Sequence, residues 1–429
     1  MNKFSLFCAA AALTMPAAIH AQAITTEIEG RVTDSAGGPI GNATVTITDT
    51  RTGAERTIVT GSDGLFIARS LTTGGPYTVT AVADGYQGQT VENINTTLQG
   101  ATSLTFSLDS SDAAAGGEAI VVTGSRVGLT QLAVGPGASF GTEVLTNAPS
   151  FNRDVRDIIR IDPRVSLDRD DGGSGQDRIS CLGGNDRGNS FTVDRIQQGD
   201  IYGLNDTGFS SRSSTPIPYD AVRETQVQFA PFDVEYGQFT GCAINVVTKS
   251  GSNEFHGSAF FEYSNDSLRG NTVAGRDVQA IEPEKNYGVA LGGPIIPDRL
   301  FFFAAYEHQQ AATGQDAGPA GASPPFPIEL AGVPVAAFNE ISDVLSSVYG
   351  IETGDLVTSL PFENDRYFGR LGWNINDDHR LELSYQRLEE ATVLSDDFFT
   401  GNSPHVTGLN TFRNSGTNSD YYSARLYSQ

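Results

Sequence analysis

Residues 367–386 read YFGRLGWNINDDHRLELSYQ. In the first half, Tyr367, Gly369, Leu371, Trp373 and Ile375 fall on one face, with Phe368, Arg370, Gly372 and Asn374 on the other. A polar turn, Asn376-Asp377-Asp378, separates this run from a second, in which Leu381, Leu383 and Tyr385 oppose Glu382, Ser384 and Gln386. Successive side chains of a strand point to opposite faces, so a period of two on both sides of a turn predicts an antiparallel hairpin. Each run has about the 9–11 residues that a strand needs to cross a bilayer. One apolar and one mixed face is the transmembrane-barrel pattern, and it recurs, weakly per segment, from Phe255 onward. Trp373 and Phe301 to Phe303 lie near strand ends, where interfacial aromatic girdles are expected. The Pro-, Gly- and Ala-rich stretch from Gln310 to Pro327 reads as a loop. Phe338, Ile341, Leu345 and Val348 predict a short amphipathic helix within one of the loops.

Composition agrees with that reading. The chain has 429 residues, enough for about three units, and 48 of them are glycine. Only 18% are charged, which suits short strands and turns better than long helices. The net charge of −24 gives no basic face for nucleic acid. Beyond the N-terminus no run approaches the ~20 apolar residues of a spanning helix, so a polytopic helical membrane protein is excluded. With 24 Phe and 14 Tyr, packed surfaces are within reach and disorder throughout is not expected.

Upstream, the chain divides into segments. Residues 1–23 carry Lys3, an apolar run from Phe4 to Ile19 and the cleavage pattern Ala21-Gln22-Ala23, the marks of a secretory signal peptide. Cys8 lies inside the apolar run, too early for a lipoprotein anchor. Residues 24–109 hold short β-branched runs between turns. Ala43 to Thr48 alternates, Ser62-Asp63-Gly64 precedes Leu65-Phe66-Ile67, and Gly74-Gly75-Pro76 precedes Tyr77 to Val82, predicting a small β-sandwich. Ser110 to Gly117 is a small-residue linker. Glu118-Ala119-Ile120-Val121-Val122-Thr123, bracketed by Gly, then reads as a strand without neighbours, a free edge that a partner can extend by main-chain hydrogen bonds. Residues 127–252 read as a mixed α/β unit. Asn152 is the expected cap of a helix bearing Val155, Ile158 and Ile159, and strands are expected at Ser190–Val193, Thr225–Phe229 and Ala243–Thr248.

Several stretches carry a resemblance. Gly30-Arg31-Val32, Asp34, Gly38-Pro39-Ile40-Gly41, Asp63-Gly64, Gly74, Tyr77 and Gly85-Tyr86 resemble the carboxypeptidase regulatory-like (transthyretin-like) domain, an accessory module. A spacer or docking role is expected of it ahead of carbohydrate binding. Residues 120–126, IVVTGSR, resemble the TonB box of outer-membrane receptors. Tyr219 to Glu224, Glu235-Tyr236-Gly237 and Ile244 to Gly251 resemble the end of a TonB-dependent receptor plug, and Asn253 to Phe260 the first barrel strand of the Oar-like subgroup. Arg195 follows Asp194 where plugs commonly carry Gly, and Cys242 replaces a usual small residue; both bear on local turn shape. The expected fold is therefore mainly β: a transthyretin-like sandwich (24–109), a linker with a TonB box (110–126), a mixed α/β plug (127–252) and the first part of a transmembrane antiparallel β-barrel (253–429). The resemblance implies a 22-stranded barrel around the plug. After Phe255 there is room for about six to eight strands, and Tyr421 to Gln429 still alternates. The sequence therefore reads as the N-terminal part of a receptor.

Sharper chemical signals are few. Cys181 and Cys242 remain after signal removal, and in the oxidising periplasm an even pair predicts a disulfide. Gly172-Gly173-Ser174-Gly175-Gln176-Asp177 matches a single calcium repeat that needs tandem copies, and an EF-hand begun at Asp168 places Ile179 where Glu is required. Asp168, Asp170, Asp171 and Asp177 thus read as a solvated loop. His379 and Glu382 have the spacing of a metallocarboxypeptidase zinc pair, but three residues apart on a strand they point to opposite faces. No catalytic motif occurs, so no enzyme, metal or cofactor is expected. The expected function is TonB-dependent uptake of a siderophore, oligosaccharide or peptide, with outer-membrane lipid, the TonB protein and an extracellular ligand as partners. The alternative is an outer-membrane structural, adhesive or export protein without uptake.

Overall fold

The computed structural model describes residues 25–98, 100–110, 120–122, 137–150, 152–168, 178–200, 208–211, 215–229, 237, 239–268, 270, 272–273, 276–277, 283–315, 317–323, 325–394, 406 and 408–428. The signal segment, the stretch at 169–177, and Glu118, Ala119 and Thr123 lie outside these residues.

Two sheets face each other in the N-terminal unit. In the first, β1 (Thr25–Asp34) lies between β4 (Leu65–Thr72), antiparallel, and β7 (Thr102–Leu108), parallel. The second has the order β3 (Ala54–Val59), β2 (Thr44–Asp49), β5 (Gly74–Val82), β6 (Gln89–Thr96) and β8 (Ile120–Val122). Alternation sends Ile28, Val32, Val45, Ile47, Val79 and Phe106 into the space between the sheets, all essentially inaccessible. Gly30 is dictated by packing. A Cβ there would stand 2.2 Å from the Leu104 carbonyl oxygen and 2.7 Å from the Phe66 ring.

The middle unit is built on a five-stranded sheet in the order β13 (Ile196–Gln197), β12 (Ser190–Val193), β15 (Ala243–Thr248), β14 (Val222–Gln228) and β9 (Gly137–Phe140). Helices α1 (Thr142–Asn147) and α2 (Val155–Ile159) and the hairpin of β10 (Val165–Asp168) and β11 (Arg178–Cys181) complete it. The cap of α2 is Asp154 and not Asn152: its carboxylate accepts the Arg156 N–H at 2.8 Å. A cap must directly precede the first helical residue, Val155, and Asn152 stands two residues before that position. Asp194 and Arg195, which join β12 to β13, both have positive φ (47° and 64°). That is the two-residue hairpin turn in which Gly is usual.

The third unit is one sheet of long antiparallel strands. β16 (His256–Ser264) is followed by a short hairpin, β17 (Thr272–Val273) with β18 (Arg276–Asp277). Then come β19 (Glu284–Ile296) and β20 (Leu300–Gly314). An excursion of β21 (Ala317–Ala320), β22 (Ile328–Pro334) and helix α3 (Val335–Tyr349) leads to β23 (Ser359–Asn374) and β24 (His379–Leu394). The chain proceeds through β25 (Arg413–Ser415) to β26 (Asn418–Ser428). The order is β16-β19-β20-β23-β24, with β25 and β26 both on β24. The connections at 297–299 and 375–378 are tight turns, while 265–283, 315–358 and 395–412 are long. Short turns at one end and long loops at the other are the outer-membrane pattern. The expected strand, turn and return strand at 367–386 follow the register Trp373↔Leu381 and Gly369↔Tyr385. The aromatic run is corrected: Phe301 and Phe303 are buried on the inner face, and only Phe302 faces out, because a period of two splits three consecutive residues. Ala290, Phe303, Ala305 and Phe368 on the inner face join the core of the middle unit, so the sheet curves around that unit.

Candidate functional site

The first candidate element is the segment 118–123. Its described part, β8, pairs in parallel with β6, Gln89↔Ile120 through Val91↔Val122. This corrects the expectation of a strand without neighbours. Without β8, β6 would end its sheet with unpaired main-chain groups, and a β-forming segment gains hydrogen bonds by lying along it. The opposite edge of β8 closes the sheet order and carries no neighbour among the described residues.

The second element is the contact between the middle unit and the long-stranded sheet, which consists of buried charge. Asp194 accepts hydrogen bonds from the Thr248 backbone N–H (3.0 Å) and hydroxyl (2.7 Å). Arg370 of β23 reaches it at 3.7 Å, donates to the Thr248 hydroxyl at 2.7 Å and pairs with Glu382 of β24. Arg380 also reaches Glu382, at 3.3 Å, and Arg425 of β26 donates to the Asp194 carbonyl. Higher on the sheet, Glu307 of β20 accepts from Arg153 (3.2 Å), from the Tyr219 N–H (2.8 Å) and from Arg366 (3.1 Å). Arg153 also pairs with Asp220 at 2.7 Å and lies 3.5 Å over the Phe260 ring. Burial raises the Asp220 pKa, but the Ser258 hydroxyl and the Arg153 guanidinium outweigh it, leaving the carboxyl below its ordinary range. Between the two clusters Gln198 and Gln386 exchange hydrogen bonds of 2.9 Å in both directions. Such buried pairs hold one geometry firmly, because removing either partner leaves a charge uncompensated.

The sandwich is seated on the tight-turn end of this assembly. The Asn253 N–H donates to the Arg51 carbonyl at 2.7 Å, Arg380 donates to the Thr72 hydroxyl, and the Leu98 N–H donates to Glu224 at 3.3 Å. Arg223 of β14 packs its guanidinium against Gly74. Burial, with Arg51 nearby, lowers its pKa to about 9. A cavity of about 450 Å³ opens at this junction, lined among others by Arg51, Arg56, Tyr77, Arg299, Arg380 and Tyr427.

The remaining sequence candidates are placed as follows. Cys181 and Cys242 are brought together, with Cα atoms 5.9 Å apart and both side chains buried. His379 meets Ser428 at the turn end, while Glu382 is held by Arg370 inside the sheet, so the two do not converge. Asp168 closes β10, and Asp170, Asp171 and Asp177 lie outside the described residues. The sequence does not single out these charged clusters. Alternation puts Arg370 and Glu382 on the face opposite the apolar one, but their partner Asp194 in the middle unit is far away in the chain.

Comparison with known proteins bears on this geometry. Residues 27–109 match the carboxypeptidase regulatory-like domain family, and residues 247–332 match the outer membrane beta barrel domain family. The TonB-dependent transporter Oar of Myxococcus xanthus is 33% identical over 135 residues, 30% of this chain and 12% of that protein. Among solved structures, the outer membrane transporter YddB of Escherichia coli aligns at 14% identity and TM-score 0.46, over 68% of this chain and 37% of its own. The ferric enterobactin receptor PfeA of Pseudomonas aeruginosa, solved as a mutant, aligns at 17% identity and TM-score 0.44, over 68% and 38%. The chain thus spans well under half the length of these relatives. The class is an outer-membrane β-barrel protein with a carboxypeptidase regulatory-like domain at its N-terminal side, located in the outer membrane. Within that class the chain is a homologue of the TonB-dependent transporter Oar, and its relatives are transporters and receptors rather than enzymes.

Proposed function

We propose that the chain is part of a TonB-dependent outer-membrane receptor that takes up a ligand across the outer membrane, the ligand being a siderophore, an oligosaccharide or a peptide. The observation that carries this reading is the plug seated against the inner face of the sheet, clamped by Asp194–Arg370–Glu382 and Arg153–Glu307–Arg366. A domain held inside a barrel by a few buried ion pairs blocks passage, yet can be shifted when those pairs are broken together. The handle for that shift is Glu118, Ala119, Ile120, Val121, Val122 and Thr123. The TonB protein adds a strand along the outer edge of β8, extending the sandwich sheet by main-chain hydrogen bonds. The boundaries 24–109, 110–126, 127–252 and 253–429 assign the periplasmic module, the TonB-box linker, the plug and the barrel portion. Cys181 and Cys242 form a bridge that ties β11 to the start of β15. The test is deletion of residues 118–123 in cells, with uptake and surface binding of ligand measured separately. Loss of uptake with retained binding supports TonB-driven transport; unchanged uptake removes residues 118–123 as its handle, and no uptake by the intact protein removes transport.

A further inference from the structure

On the outer face of the sheet, His308 of β20 sits opposite Asp365 of β23. Its neighbour Glu307 faces the plug, so His308 faces away from it. His308 is 8% exposed, and its ring stacks on Tyr287 with centroids 4.8 Å apart. Asp365 Oδ1 accepts from Nδ1 of His308 at 2.9 Å and from the Tyr306 hydroxyl at 2.7 Å. A carboxylate only accepts, so Nδ1 carries the proton, and in the neutral ring Nε2 presents a lone pair. That lone pair faces Glu363 Oε1 at 3.8 Å, beyond hydrogen-bond reach. Two acceptors therefore face each other across a gap. The ligand atoms of His308, Glu363 and Asp365 all lie within 4.8 Å of one another.

We infer that this gap is a binding site for a divalent transition-metal cation of the zinc type. Nε2 of His308 and a carboxylate oxygen of Glu363 are the direct ligands, and Asp365 orients the ring from behind. Tetrahedral zinc with bonds of about 2.0–2.2 Å sets neighbouring ligands roughly 3.3–3.5 Å apart, a few tenths from the gap seen. Glu363 is mostly exposed and free to close the difference. The carboxylate–histidine–metal arrangement, with the second ring nitrogen held by Asp365, is the usual outer support of such ligands. Mixed nitrogen and oxygen donors favour zinc and its neighbours over calcium or magnesium. The position gives the site a role. β20 leads into the long excursion 315–358, which carries α3, and β23 leads out of it. A cation held between them clamps both legs of that excursion.

The experiment is titration of the detergent-solubilised protein with Zn²⁺ by calorimetry, repeated with Co²⁺ as a visible-absorption probe of a nitrogen/oxygen site. The wild type is expected to bind one equivalent that is lost in His308→Ala and weakened at least 10-fold in Glu363→Gln. Asp365→Asn should weaken it about 10- to 100-fold. Glu363→Gln alters an exposed side chain, and far-UV circular dichroism verifies that each variant keeps its strand content. If Glu363→Gln or His308→Ala binds Zn²⁺ as the wild type does, or the wild type binds none, the site is a plain His308–Asp365 pair and the inference is overturned. None of these outcomes depends on whether the chain transports a ligand.

Discussion

Arg370 and Asp194 stand 3.7 Å apart, 176 positions from one another in the chain, and both are buried. The pair joins β23 of the long-stranded sheet to the turn after β12 in the middle unit, the proposed plug, and Glu382 shares the same guanidinium. Replacing Arg370 by Met takes from buried Asp194 its Arg370 counter-charge and leaves Glu382 with Arg380 alone. Breaking a buried pair in this way costs about 3–5 kcal/mol. The expected result is a lower denaturant midpoint for the plug, followed by protease cleavage of residues 127–252. A midpoint equal to that of the wild type would show that the cluster does not hold the plug.

Asp220 gives the assembly a pH dependence. Its folded pKa lies below the ordinary carboxyl value, so the stabilisation is fully present above that ordinary value. It is lost as pH falls through the lowered one. Acidification from pH 5 toward pH 3 should therefore loosen the Arg153–Asp220 contact. An Asp220→Asn variant is expected to be less stable at pH 7 and to show a smaller further loss on acidification. Parallel pH profiles for the two proteins would exclude Asp220 as the titrating group.

What was legible in the sequence follows period and turn chemistry. Leu381, Leu383 and Tyr385 declared their face because alternation is local, and the hairpin at 367–386 folds as the sequence predicts. α3 was equally plain, since Phe338, Ile341, Leu345 and Val348 share a helical stripe. The cap of α2 was misplaced because Asn152 and Asp154 are both capping residue types; only the backbone of Asp154, extended just before Val155, decides between them. The clusters at Glu307 and His308 left no trace in the sequence. Their partners Arg153 and Asp365 are 154 and 57 positions away, and no short-range pattern encodes such a pairing. The pairing of β8 with β6 is of the same kind: an apolar strand is visible in sequence, but the edge it lies along is not.

Val121 is the most informative position in the proposed TonB box. Proline there fixes φ and removes the main-chain donor that Val121 offers to one edge of the strand, which weakens strand addition by this segment. Pull-down with the C-terminal domain of TonB is expected to recover much less of the Val121→Pro protein than of the wild type. Undiminished recovery would place the contact elsewhere.

For Cys181 and Cys242, 61 positions apart, the expected outcome is a linked peptide pair in non-reduced mass spectra of freshly isolated outer membranes. Closing a loop of that length stabilises by about 4 kcal/mol in the chain-entropy account. The double Ser variant should accordingly unfold at lower denaturant concentration. Recovery of both cysteines as alkylatable thiols would count against the bridge.

Gly74 controls how the sandwich sits on the plug. Its φ is +90°, and a Cβ added there would stand 2.0 Å from a terminal nitrogen of Arg223. Both facts act in the same direction, because a side chain strains the backbone and also displaces the guanidinium. Arg223 is buried beneath the sandwich and has little room to retreat. Gly74→Val should therefore break the contacts from Thr72 to Arg380 and from Leu98 to Glu224 while the sandwich core, centred on Val45, Val79 and Phe106, survives. The two effects are separable by experiment. Cysteines placed at Thr72 and Arg380 report docking by cross-linking, and protease resistance of residues 25–109 reports the core. Cross-linking is expected to fall sharply in Gly74→Val with the sandwich still resistant. Efficient cross-linking in that variant would mean that the Arg223 seat does not position the domain, and that the turn-end contacts of Arg51 with Asn253 suffice.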